Sequence, residues 1–295
     1  MNGTLAVARY TLLEISRRRI LLVFLVIGII GIALLGIVLK LAPISLGSTG
    51  PAGAAQPDPA AMSRFLELNF VRYLIGVVGF FALLIAFAIG MTAIYHDLES
   101  GAAVAIFSKP ITRLAYTIGK VVAAIVAMIL VVGLLGLEAR LLMSLFGGGL
   151  EQAMWVETVA SVANAILLML IVLALSTWMN NIVAAVVALI YNFLGGVVVG
   201  LHAFLGAIGG PAALTTVFNI LYWLVPHQLT SDAARQLVKA QYEIFTPPQG
   251  ARAPTADQIL RTVPGASGTQ DILWWAFLVV LMATLVYVAV RRRQV

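Results

Sequence analysis

The chain has 295 residues, of which 62% are hydrophobic and only 10% charged, with a formal net charge of +6. One soluble core of this length cannot bury so much apolar surface. A water-soluble globular enzyme, a disordered chain, a fibre and a nucleic-acid-binding domain are therefore excluded, and an integral membrane protein with several spanning helices remains. The chain contains no cysteine, hence no disulfide framework, no thiolate metal site and no cysteine nucleophile.

Residues 1–19 put Leu5, Ala8, Leu12 and Ile15 on one helical face, as an interfacial helix requires. Arg17, Arg18 and Arg19 lead into an apolar run longer than a signal-peptide core, so that run reads as a retained span. Spans are expected at about 20–42, 72–95, 121–142, 158–178, 182–208 and 272–290. Short alternating segments of the kind a closed barrel needs do not occur, so the fold is an all-α bundle of six transmembrane helices. Placing the N-terminus in the cytoplasm puts Arg9, Arg17–Arg19, Lys109, Arg113, Lys120 and Arg291–Arg293 inside, as the positive-inside rule favours. The whole chain is then one transmembrane domain with both termini cytoplasmic.

Of the three segments that lie outside in that topology, two carry signals of their own. The first, about 42–62, is rich in Pro, Gly and Ala and reads as a linker. The second, 209–271, opens with an apolar run at 211–225 that is too short to span and reads as re-entrant or interfacial. A short surface helix is expected after Ser231, and another opens at the capping pattern Thr255-Ala256-Asp257-Gln258 and ends at Pro264-Gly265.

Little in the spans carries chemistry. No phosphate-cradling Gly-x-x-x-x-Gly-Lys-Ser/Thr loop occurs. His96, His202 and His227 are far apart in sequence, and the methionines form no thioether cluster. Glu138 and Arg140 fall near the end of the third span, where charges sit at the interface. Asn164, Asn192 and His202 are the bulky polar residues of otherwise apolar span centres. They line a pathway or hydrogen-bond between helices, and both readings stay open.

The informative stretch is 96–120. A charged extension, His96-Asp97-Leu98-Glu99-Ser100-Gly101, follows the second span. Ala102–Phe107 reads as a short apolar helix, which Lys109 and Pro110 end. Thr112 then caps the next helix, and Lys120 marks where it meets the bilayer. The product is a short helix between two spans, suited either to docking on a soluble partner or to serving as an amphipathic connector.

This stretch resembles the first intracellular connection of the ABC type-2 permeases, particularly the multicopper-enzyme-maturation branch. Asp97, Glu99, Ser100 and Gly101 match its acidic step, and Ser108, Pro110, Arg113, Tyr116, Gly119 and Lys120 match the step after it. The N-terminal segment from Ala8 to Glu14, leading through Arg17–Arg19 into the first span, is similar to the family's elbow helix. The resemblance implies the permease half of an ATP-binding-cassette exporter in a bacterial or archaeal cytoplasmic membrane, with the pathway formed by two copies or by this chain and a paralogue. ATP and magnesium would reside on separate ATPase subunits and none on this chain. The implied coupling residues are Asp97, Glu99, Ser100, Gly101, Phe107, Lys109, Pro110 and Arg113. The elbow would use Arg9, Glu14, Arg17, Arg18 and Arg19. The competing reading is an ATP-independent carrier or channel in which 96–120 is only a connector. A pathway with so few charges suits lipids, amphiphilic drugs or peptides better than small hydrophilic ions.

Overall fold

The computed structural model describes residues 2–46, 59–99, 108, 111–146, 151–225, 227–244 and 256–292, and among these no strand occurs. The helices are α1 (Asn2–Ser16), α2 (Arg19–Leu46), α3 (Pro59–Thr92), α4 (Tyr95–Glu99), α5 (Arg113–Phe146) and α6 (Glu151–Trp178). They continue with α7 (Asn181–Ile208), α8 (Ala212–Leu224), α9 (Ala233–Ile244), α10 (Ala256–Arg261) and α11 (Thr269–Arg292). Six of them, α2, α3, α5, α6, α7 and α11, are long and apolar enough to cross a membrane.

Several helices overrun the spans that hydropathy marks. Both α3 and α5 have 34 residues, about 51 Å at the usual rise, against a hydrocarbon core of about 30 Å. Apolar content ends where lipid ends, but the backbone ladder continues through Arg72, Glu138 and Arg140 because these residues are compatible with a helix. At its other end α3 stops at Thr92, and a turn at Ala93 and Ile94 leads into α4.

The centre of the bundle is α6, which packs against α3, α5, α7 and α11. Every residue from Ala165 to Ala174 is buried, the pattern of a helix enclosed on all sides. Close packing depends on Gly90 of α3, where a Cβ would lie 2.8 Å from the Met169 carbonyl oxygen of α6. By contrast α2, α7 and α11 turn most of their apolar surface outward, as lipid-facing helices do.

The bundle has two ends. At the proximal end, Arg18 meets Thr92, Arg113 meets Arg291, and Arg292 lies over Trp178. Helix α1 packs there on α5. At the distal end, α7 closes on Gly209 in the left-handed region (φ 64°), a conformation glycine adopts without steric penalty. Helix α8 then doubles back along α7 until the Tyr191 hydroxyl, near the middle of α7, donates to the Leu224 carbonyl (3.3 Å). The chain returns outward through 227–232 into α9, which packs on α3 and α6. The short helices expected after Ser231 and Thr255 correspond to α9 and α10.

Candidate functional site

Two clusters of polar side chains stand out, one at each end. The proximal cluster centres on Lys120, which is fully buried. Its Nζ lies 2.7 Å from Asp97 Oδ2 of α4 and 3.1 Å from Glu14 Oε2 of α1. The Tyr116 hydroxyl, one turn earlier on α5, donates to the same Asp97 oxygen (2.8 Å). Arg18 pairs with Glu14 Oε1 and donates to the Thr92 carbonyl at the end of α3 (3.3 Å). Two carboxylates and two cations thus balance at one node shared by α1, α3, α4 and α5. A buried charge is tolerated when it is paired and hydrogen-bonded in this way.

Local sequence explains the node. Thr112 caps α5 by accepting from the Ala115 amide (3.2 Å), which fixes the helix start and the phase of Tyr116, Gly119 and Lys120. Gly119 lets α1 approach, since a Cβ there would lie 2.8 Å from the Thr4 carbonyl oxygen and from Val7 Cβ. The buried face of α1 is consequently Val7, Thr11 and Ile15, while Leu5 is 76% exposed. The expected interfacial face of Leu5, Ala8, Leu12 and Ile15 shares Ile15 with this protein-packed face and is otherwise distinct from it. Fit against Gly119 decides the rotation of α1, not the sum of hydrophobicity.

The residues marked from the sequence divide accordingly. Asp97, Glu14 and Arg18 join the node. Arg113 opens α5 and donates to the Arg291 and Val290 carbonyls at the end of α11 (2.7 and 3.5 Å), as a basic side chain does at a helix C-terminus. Arg9, Arg17 and Arg19 are exposed. Glu99 is the last residue of α4, and Ser100, Gly101, Phe107, Lys109 and Pro110 lie outside the described residues. Tyr116 was visible only as a motif letter and Lys120 only as a motif letter and a marker of bilayer entry, although two hydrogen-bonding side chains one turn apart at a helix start mark a face with polar partners.

The distal cluster lines a cavity of about 530 Å³ between α3, α6, α7 and the 228–234 return. Asn164 clamps the Leu229 peptide from both sides: its Nδ2 donates to the carbonyl (2.9 Å) and its Oδ1 accepts from the amide (2.8 Å). Gln228 donates to Asn192 Oδ1 (3.2 Å). Ser231 donates to Glu157 Oε2 (2.5 Å) and accepts from the Ala233 amide (3.1 Å), which starts α9. Asn164 and Asn192 thus line a cavity and hydrogen-bond to the 228–229 return outside the helices. Glu138 and Arg140 are near the distal end of α5, with Arg140 over the Trp155 ring (4.9 Å).

His202 does not join them. It stacks on Tyr222 (4.6 Å between centroids) beside a second cavity of about 400 Å³, lined also by Arg235, Arg261 and Asp271. Tyr222 stacks in turn on His227 (4.0 Å) and donates to Asp271 Oδ1 (3.0 Å). Burial, then the hydrogen bond and charge of Asp271, pushes the Tyr222 hydroxyl above its usual range, so it remains a donor.

Six helices long and apolar enough to cross a membrane make a multi-pass bundle, and the family comparison accords with it. The family model described as ABC-2 family transporter protein matches residues 5–294. The chain belongs to that family. As an ABC-2 permease it is a multi-pass membrane transport subunit, and the match does not single out the multicopper-enzyme-maturation branch. Comparison with curated proteins finds none that matches this permease.

Proposed function

We propose that this ABC-2 permease exports its substrate as a dimer, driven by ATPase subunits on separate chains that dock on α1 and on the stretch 97–113. ATP and magnesium belong to those partners. Both termini and the proximal end face the cytoplasm of a bacterial or archaeal inner membrane, and the α8–α10 segment faces outward. The observation that carries this reading is the Lys120 node, which ties α1 and α4 to the first turns of a spanning helix. A partner that moves either element would then move α5 with it. Charge-paired, buried contacts transmit such displacement because packed interiors shift between discrete arrangements. Glu99, Ser100, Gly101, Phe107, Lys109 and Pro110 supply the docking surface in this reading, with Arg113 holding α5 to α11 behind it.

Purification from the native host in mild detergent, with mass spectrometry of the eluate, tests the assignment. A soluble ATPase should co-elute in stoichiometric amount. Glu99→Ala or Gly101→Pro should then spare insertion but separate ATP hydrolysis from transport. A chain that purifies alone under crosslinking, and transports without ATP, would instead establish a carrier or channel.

A further inference from the structure

We propose that the distal cavity binds a lipophilic organic monocation, a reading that rests on the chain being a transport permease. The cavity of about 530 Å³ falls in the range of roughly 300–1,000 Å³ that holds a drug-sized molecule. One wall is apolar, with Ile75, Phe80 and Leu83 on α3 and Leu168 on α6. A Cβ on Gly76 or Gly79 would meet nothing within 4 Å, so the α3 wall leaves room for an occupant. Glu157, Ser161, Asn164 and Leu168 follow one face of α6. The carboxylate stands roughly 16 Å along the helix from Leu168, polar at one end of the cavity and apolar at the other.

The charge pattern selects the ligand. Among the described lining residues Glu157 is the one carboxylic side chain, and none is Asp, Lys, Arg or His. The amides of Asn164, Asn192 and Gln228 are engaged with one another or with the Leu229 peptide. The basic residues of the same outer segment, Arg235 and Arg261, line the other cavity instead, with His202 and Asp271. An anion in the first cavity would face a carboxylate that has no counter-charge among the described residues. A cation supplies the counter-charge that Glu157 lacks.

The test uses the full chain in phosphatidylcholine nanodiscs and two probes of like shape and opposite charge, radiolabelled tetraphenylphosphonium and tetraphenylborate. Binding to empty nanodiscs is subtracted. Saturable phosphonium binding is expected, with no saturable borate binding. Glu157→Gln keeps an amide oxygen for the Ser231 hydroxyl, so the fold is retained, and it should weaken the phosphonium about tenfold, the size of one charge-assisted contact. Gly79→Phe, which fills the open wall, should abolish it. Saturable borate binding, no saturable phosphonium binding, or an unchanged affinity in Glu157→Gln would each overturn the proposal. ATPase co-elution is scored separately. A missing ATPase refutes the driven-permease reading and leaves the affinities measurable, whereas an ATPase without phosphonium binding refutes only the ligand class.

Discussion

At the proximal end, fully buried Lys120 meets two carboxylates, and Arg18 completes the balance. At the distal end, Glu157 has a hydroxyl for a partner and borders a cavity. Both ends place a carboxylate-bearing helix against a spanning helix, yet one neutralises its charge internally and the other leaves it for something else to neutralise. A balanced, close-packed node transmits force and holds elements in register. An unbalanced charge beside open volume recognises a ligand. The difference gives each end its own response to mutation.

The largest effect is expected at Lys120. Lys120→Met strands Asp97 as a buried carboxylate without its cation, while Glu14 keeps Arg18, a loss of about 3–5 kcal/mol. Thermal unfolding of the detergent-solubilised protein measures it. The triple variant Lys120→Met, Asp97→Leu, Tyr116→Phe removes the buried charge pair with its hydroxyl donor and leaves Glu14 paired with Arg18, and should recover most of that stability because apolar replacements of a buried ion pair are often neutral. It should still lose coupling to ATP hydrolysis if the node transmits motion. A triple variant that couples normally would make the node purely structural.

The distal counterpart is Asn164→Ala. It leaves the amide and carbonyl of Leu229 without their side-chain partner, a penalty of about 1–3 kcal/mol for an unsatisfied buried group. The loss should be local, freeing the 227–232 return while the bundle holds. Hydrogen exchange should rise there and stay unchanged at 113–120. Uniform exchange across both ends would mean that the two regions unfold as one unit.

How far the sequence foretold this comparison depends on the range of the contacts. Six spans are legible because lipid imposes apolar runs of a fixed length. Thr112 is legible as a cap because capping is local. Lys120 and Glu14 are 106 positions apart, and no periodicity links them. Their meeting depends on how α1 rotates against Gly119. Glu157 was hidden for a different reason. Hydropathy starts the fourth span at about 158, which leaves this carboxylate outside, whereas α6 begins at Glu151 and carries Glu157 into the cavity wall. Asn164 was visible as a polar residue in an apolar span, but its partner is a backbone peptide, and a peptide has no signature in the sequence.

The smallest effects sharpen the comparison most, because one substitution should change sign between the two ends. Gly119→Ala puts a methyl group 2.8 Å from the Thr4 carbonyl oxygen and from Val7 Cβ. Neither atom is the end of a flexible chain, so α1 must shift away from α5, at about 1–3 kcal/mol for an overpacked contact. That shift also stretches the bond from Glu14 to Lys120, and α1 should become more accessible to proteolysis. Gly79→Ala places the same methyl group in a space with nothing within 4 Å. There it meets no opposing atom and removes backbone freedom from the unfolded helix, a gain of about 0.5–1 kcal/mol. Paired unfolding measurements on the two variants therefore read packing directly. If both lower stability equally, the volume beside Gly79 is closed in the working protein, and a ligand cavity there loses its room.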